Sequence, residues 1–362
     1  MFSIRILIVI LFTLQAIPQQ AQKRISQKEK KNVITSLKDV ITSNYIFPDK
    51  AIQINRALDS LHAKGKYKKI TAYTVFADTL TNDLVRISKD KHFKLQYRPD
   101  LAQPRVPEKE ANSKEEPDTN EERIDLNFWY AQKANFGFEK VEVLEGNIGY
   151  LKLTFFDVFE WVKPTMDAAM GFVSNTDALI IDLRGNNGGY NSAAYLTSYF
   201  FNETPMLLST SYNRASNETK ESYTFEKVDG QRYLDKPVYI LVDEESFSRA
   251  EGFAYGMKHF KRATILGQTT PGAAHSIDFI KMEHSFFIQV PVERMMHPIT
   301  NTDWEGVGVI PDSTTSKEQT LKVAYQQALD HLISQEKNEA LGIHYDKLIK
   351  KYEAIKEKIN RQ

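Results

Sequence analysis

The sequence predicts a mixed α/β core preceded by a small helical domain, and three observations carry that expectation. Apolar residues recur at helical spacing from residue 24 to about 98, and strand-like and helical stretches alternate from 126 to 330. Within that second part, Ala178-Leu-Ile-Ile-Asp-Leu183 is a near-continuous apolar run, as a strand covered on both faces should be.

In the front part, Val33, Leu37, Val40 and Ile41 share one helical face; Ala57, Leu58 and Leu61 share another, and Phe76, Leu80, Leu84 and Ile87 a third. The proline in Asn44-Tyr-Ile-Phe-Pro-Asp49 breaks the first period. The alternation after His92 leads into a strand. Residues 99–125 carry Pro104, Pro107 and Pro117 among Glu and Lys and read as a polar linker. Gly137–Leu144 and Asn147–Leu153 then alternate as strands, and residues 161–173 are helical. The chain thus divides into a signal peptide 1–22, a helical domain 23–98, the linker 99–125, a core domain 126–330 and a charged helical tail 331–362 whose last turns are expected at the surface.

Formal net charge is zero, which leaves no electrostatic footprint for nucleic acid. The 17 Tyr and 21 Phe argue for a globular chain. Met1-Phe-Ser-Ile-Arg5 followed by Ile6-Leu-Ile-Val-Ile-Leu-Phe12 has the positive-then-apolar order of a secretory signal, and the run is short for a membrane span. Cleavage is expected near Ala21, and membrane contact only through an uncleaved signal segment. The absence of cysteine excludes a disulfide framework and a thiol nucleophile; export without disulfides fits a bacterial periplasm or exterior.

Pro237-Val-Tyr-Ile-Leu-Val242 reads as a buried strand, and Phe253, Ala254, Met257 and Phe260 as a helix. Ser246-Phe-Ser-Arg-Ala-Glu-Gly-Phe253 is therefore a strand-to-helix corner. Ser248 and Glu251 stand in the S-x-x-E relation of a capping box, which would make the serine an N-cap. A serine at a helix N-terminus also suits a nucleophile, because free N–H groups there favour a developing anion. Both readings stay open on this window alone, with Ser246 as the alternative cap.

Asp182-Leu-Arg-Gly-Asn-Asn-Gly-Gly-Tyr190 follows the other buried strand. Its glycines permit successive N–H groups to converge on an anion, or simply form a turn. Asp182 and Arg184 are expected to pin the loop. The spacing is not that of a phosphate-binding or dinucleotide loop.

In this order, Asp-Leu-Arg-x-Asn-x-Gly-Gly, Ser-Phe-Ser-x-Ala-Glu, Gly267-Gln-Thr-Thr270 and Trp304-Glu-Gly-Val-Gly-Val-Ile-Pro-Asp312 resemble one family. It is that of the tail-specific (C-terminal processing) serine peptidases and tricorn protease, in the branch similar to interphotoreceptor retinoid-binding protein. The resemblance covers about residues 30–330 and implies a ClpP/crotonase-like β-β-α superhelix in the core. It implies Ser248 as nucleophile and the N–H groups of Gly188 or Gly189 and of Arg249 as the oxyanion hole. The lysine base of the tail-specific branch has no counterpart in Thr269–His275. The tricorn-like branch instead implies His92 as general base and Glu305 as its orienter, an assignment with coherent chemistry, since a serine hydroxyl needs a neighbouring imidazole to take its proton.

Two departures stand out: Lys91 replaces a serine of the tricorn relay, and Pro271 and Ala273 interrupt a glycine-rich stretch. Of the eight histidines, His275 is the alternative base, because its loop is expected near Ser248. His62, His259, His284, His331 and His344 read as surface or packing residues, and their scatter suggests no metal site.

The expected function is an exported serine peptidase acting on a peptide or protein, with no cofactor. The alternative is a non-catalytic binding protein for apolar ligands or peptides on the same scaffold. No PDZ-like segment is expected, since residues 99–125 are too few for one.

Overall fold

The structure, a computed structural model, describes residues 24–99, 127–338 and 343–361. The expected signal peptide and residues 100–125 of the expected linker lie outside the described residues.

Three helices open the chain: α1 (Gln27–Asn44), α2 (Pro48–Ala63) and α3 (Tyr73–Ser88). Ser26 caps α1 from the extended region (φ −82°, ψ 163°), its hydroxyl accepting the Glu29 N–H while Glu29 accepts its own. Pro48 opens α2, where its missing N–H has no consequence. Val33, Leu37, Ile41, Leu58, Phe76, Leu80 and Leu84 are all buried.

A short strand ties this helical front to the rest of the chain. Strand β1 (Lys94–Tyr97) pairs antiparallel with β10 (Phe286–Met296), placing Lys94 opposite Gln289 and Tyr97 opposite Phe286. Phe286, Ile288, Val290 and Val292 of β10 join the helices in one apolar cluster. Through β10 the helices share a core with the later chain.

The main sheet is built from β2 (Phe138–Leu144), β3 (Ile148–Leu153), β4 (Ala178–Asp182), β7 (Val238–Val242), β8 (Thr264–Gly267) and β11 (Ser313–Thr314). These six strands lie in the order β11–β8–β7–β4–β3–β2. All neighbours are parallel except β2 and β3. Both faces are covered, which explains the continuous apolar strands. Leu179 and Ile181 face a cluster built on α4 (Phe159–Val173), α5 (Ala193–Ser198) and α6 (Arg249–His259), while Ala178 and Ile180 face α7 (Thr320–Asn338) and α8 (Ile343–Arg361).

Two regions differ from the sequence reading. Strand–helix alternation does not run unbroken to 330: β5 (Leu207–Asn213), β6 (Glu218–Tyr223), β9 (Ser276–Lys281) and β10 form an antiparallel sheet with β1. The final helix is also not confined to the surface. Tyr352, Ile355 and Ile359 recur on one side of α8 and are buried against the sheet.

Because β4, β7 and β8 are parallel, the loops after their C-terminal ends emerge at one edge. Those loops contain Gly188, Ser248 and His275.

Candidate active site

Ser248 sits at the N-cap of α6 with φ 51° and ψ −109°. A serine N-cap ordinarily has extended angles, as Ser26 has, so this backbone is strained. The S-x-x-E relation is nonetheless a capping box: the Ser248 N–H donates to Glu251 Oε2 over 2.8 Å. Glu251 is fully buried, and its two oxygens also accept from Thr270 Oγ1 (2.6 Å), Gly272 N (2.7 Å) and Ala273 N (2.9 Å). One carboxylate thus fixes the corner and the loop after β8 together. Burial pushes its pKa up, and the four donors oppose that shift. Ser246 does not cap the helix: its hydroxyl donates to Leu183 O and accepts from Asp243 N.

The glycine loop lies directly against Ser248. A Cβ on Gly188 (φ 88°) would meet Phe247 O at 2.7 Å, Ser248 Cβ at 2.9 Å and Arg249 N at 3.0 Å. Buried Asn186 holds this loop, giving its side-chain N–H to Leu153 O and taking the Phe247 N–H on its backbone carbonyl. Asn186 Oδ1 also accepts the Gly188 N–H (2.9 Å), so that donor is already engaged. Among the described residues, the N–H groups left to meet an oxyanion here are those of Gly189 and Arg249. Asp182 and Arg184 pin the loop's start with a two-point ion pair, joined by the Tyr150 hydroxyl.

His92 arrives from the other side. Helix α3 ends on Lys89 in the left-handed region, the Ser88 hydroxyl accepts the Asp90 N–H, and Asp90 Oδ1 accepts the His92 N–H. This tight turn directs both side chains inward, and β1 holds it against β10. Lys91 points outward and gives its ammonium to Pro271 O (2.7 Å), tying this turn to the loop after β8.

Asp90, which the sequence reading did not single out, is the centre of the cluster. Its Oδ1 lies 3.2 Å from His92 Nδ1 and its Oδ2 3.0 Å from His275 Nδ1. Burial raises the Asp90 pKa, but hydrogen bonds and charge from His275 and His92 outweigh it and hold the carboxyl well below its usual range. Glu305 Oε2 accepts the Ala274 N–H (2.7 Å) and stands 3.4 Å from His275 Nδ1 but 4.0 Å from His92 Nδ1. The carboxylate in hydrogen-bond contact with His92 is therefore Asp90, with Glu305 behind it. Burial and the Asp90 charge push the Glu305 pKa up, against the pull of His275 and the Ala274 N–H.

Both imidazoles have Nδ1 on Asp90, and both Nε2 atoms are buried without a partner. Neither is hydrogen-bonded to Ser248 Oγ. The His92 ring packs against Phe247, which precedes the serine, with ring centroids 5.5 Å apart; His275 packs on Phe47 instead, at 5.2 Å. Asp90, His92 and Glu305 are also the group that could hold a metal, with candidate ligand atoms within 4.8 Å of one another.

The signal for Asp90 was present in Ser88-Lys-Asp-Lys-His92, since Asp two residues before His forms such a turn. What the sequence did not show is that one carboxylate serves two histidines 183 positions apart in the chain, a number that follows from their positions 92 and 275.

A serine at a strained strand-to-helix corner, backed by free N–H groups and a buried imidazole–carboxylate cluster, is the set of parts that a serine-type peptidase needs. The chain belongs to peptidase family S41. Residues 147–315 match peptidase family S41 itself, and residues 20–145 match the N-terminal domain of peptidase S41 in eukaryotic IRBP. Among curated relatives, the chloroplastic carboxyl-terminal-processing peptidase 2 of Arabidopsis thaliana is 28% identical over 174 residues, 47% of this chain and 32% of that one. The carboxyl-terminal-processing protease of Synechocystis is 26% identical over 197 residues, 51% of this chain and 44% of that one. These matches span less than half the length of either relative. In fold, the chain is similar to a putative peptidase from Parabacteroides merdae, with a TM-score of 0.53 and 17% identity over 81% of this chain and 92% of the other.

Proposed function

We propose that this protein is an exported serine peptidase that cleaves peptide bonds through an acyl-enzyme on Ser248. The observation that carries this reading is the Ser248 backbone. Ser26 and Ser248 stand in the same S-x-x-E relation, yet Ser26 caps its helix from ordinary extended angles and Ser248 does so at φ 51° and ψ −109°. Capping has no need of that strain, whereas presenting a hydroxyl above a strand-to-helix turn does.

As Ser248 Oγ bonds to the substrate carbonyl carbon, His92 Nε2 takes its proton. The Asp90 contact keeps the hydrogen on Nδ1, which leaves Nε2 as the acceptor. The carbonyl oxygen gains charge and meets the Arg249 and Gly189 N–H groups. His92 then returns the proton to the departing amine, and water repeats the sequence to release the acid. Ser248 and His92 are not bonded without substrate, and such bonds commonly tighten only in the Michaelis complex. Export is supported by the positive-then-apolar order of residues 1–12.

The test is labelling by a fluorophosphonate together with hydrolysis of peptide libraries. Labelling and cleavage, both lost in Ser248→Ala, are expected; activity retained in that variant overturns the assignment. The unmade Ser248–imidazole bond favours a second reading, a binding protein on this scaffold. Co-purified apolar ligand with an unlabelled Ser248 would establish it instead.

A further inference from the structure

Helix α6 carries two interior glycines, Gly252 and Gly256, where each costs about 1 kcal/mol relative to alanine. Both line a pocket beside the Ser248 corner that also includes Arg249, Phe260, His297 and Trp304. Positions 249, 252, 256 and 260 share one side of the helix, so the glycines hollow out the face that begins at Arg249. At Gly252 the reason is direct: a Cβ there would come within 2.8 Å of the Trp304 ring. The pocket opens to solvent and has room of about 70 Å³, enough for a few waters or the end of one side chain.

Two of its polar groups are already engaged. Tyr255 gives its hydroxyl to Thr300, and Trp304 its indole N–H to Ala273 O. His297 is 5% exposed; its Nδ1 accepts the Ile299 N–H at 3.3 Å, so Nε2 carries the ring hydrogen, and that atom has no partner. Burial, reinforced by His259, lowers the His297 pKa to about 4, which keeps the ring neutral near pH 7. The Arg249 guanidinium forms no hydrogen bond or ion pair among the described residues. Burial works against its charge, and Glu293, beyond ion-pair distance, is the acid that offsets it. Arg249 is part-exposed, so its unpaired guanidinium is open to an anion that enters the pocket.

We infer that this pocket receives a carboxylate of the substrate, held by the Arg249 guanidinium, with Phe260 and Trp304 as apolar walls. The inference rests on the peptidase reading and names its substrate class: peptides that present a carboxylate beside the cleaved bond. An acidic side chain and a free C-terminus supply the same chemistry.

Three groups of alanine-based hexapeptides separate these sources: a set with a single Glu placed at each position in turn and an amidated end, the same set with Gln, and a Gln peptide with a free end. Binding is measured by calorimetry on Ser248→Ala protein, and cleavage on the unaltered protein. The expected result is about tenfold tighter binding of either the Glu or the free-ended peptide than of the amidated Gln peptide. That preference should disappear in Arg249→Met, return in part in Arg249→Lys, and disappear in Gly256→Leu, which fills the pocket. Equal binding of all three peptides, or a preference unchanged in Arg249→Met, overturns the inference. Because binding is read without catalysis, failure of the peptidase reading appears separately, as absent cleavage and an unlabelled Ser248.

Discussion

His275 Nδ1 stands 3.0 Å from one oxygen of Asp90, and the other oxygen of that carboxylate holds His92 Nδ1 at 3.2 Å. The two imidazoles are thus oriented by the same group and differ in what surrounds them. His92 packs on Phe247, next to Ser248, while His275 packs on Phe47 from the helical front. The proton acceptor we propose is accordingly His92. His92→Ala should lower kcat/KM about 10³-fold and His275→Ala only about tenfold, through a less ionised and less fixed Asp90. Steady-state hydrolysis of one peptide by both variants decides it, and the reverse ranking assigns the base to His275.

Asp90→Asn should lower kcat roughly 10³-fold to 10⁴-fold, because an amide no longer selects the tautomer that leaves His92 Nε2 free. It also has a pH signature. The Asp90 pKa is depressed in the folded protein, so its stabilisation is fully present above the ordinary carboxylate value of about 4 and is lost as pH falls further. Denaturant unfolding should show the parent protein more stable than Asp90→Asn at pH 7, with the gap narrowing progressively as pH falls below about 4. A gap that does not change with pH would remove Asp90 from the role of a buried, ionised partner.

Much of this arrangement was legible in the sequence. The apolar runs around Ile180 and Ile240 predict covered strands, and both are central in the main sheet. The corner at Ser248 follows from a strand run meeting a helical period. The links made by long-range pairing were not legible: β10 carries apolar residues without announcing that β1 will be its neighbour, yet that pairing holds His92 in place. The engagement of the Gly188 N–H by Asn186 was hidden for a related reason, since a glycine-rich loop permits many conformations and only the fold selects one. Gly252 and Gly256 did leave a signal, as two glycines four apart in a helix lower its propensity without local benefit.

Gly188→Ala tests how closely the glycine loop backs the serine. The added methyl would lie 2.7 Å from Phe247 O and 2.9 Å from Ser248 Cβ, at a φ of 88° that alanine rarely adopts. The loop or the corner must move, and a displacement of a few tenths of an ångström misplaces the Gly189 and Arg249 donors. A loss of about 10²-fold in kcat with KM little changed is expected, as for removal of one oxyanion donor. A proportional rise in KM with unchanged kcat would show that the loop binds substrate and does not stabilise the transition state.

Glu305→Gln should separate stability from activity. Burial and the neighbouring Asp90 charge raise the Glu305 pKa, so folding favours its protonated form. The stabilisation from that form is present below the ordinary carboxylate value and is lost as pH rises through the raised one, above which an ionised group is left beside Asp90. Glutamine keeps an oxygen for the Ala274 N–H and removes the charge. The variant should melt about 2 °C higher than the parent at pH 7.5 and equally at about pH 3, where the carboxyl is protonated in both folded and unfolded chains. Hydrolysis should nevertheless fall about tenfold, since the second negative charge helps stabilise the imidazolium that forms when Ser248 loses its proton. A lower melting temperature at pH 7.5 would mean that ionised Glu305 stabilises the fold, as a direct partner of His275 at 3.4 Å.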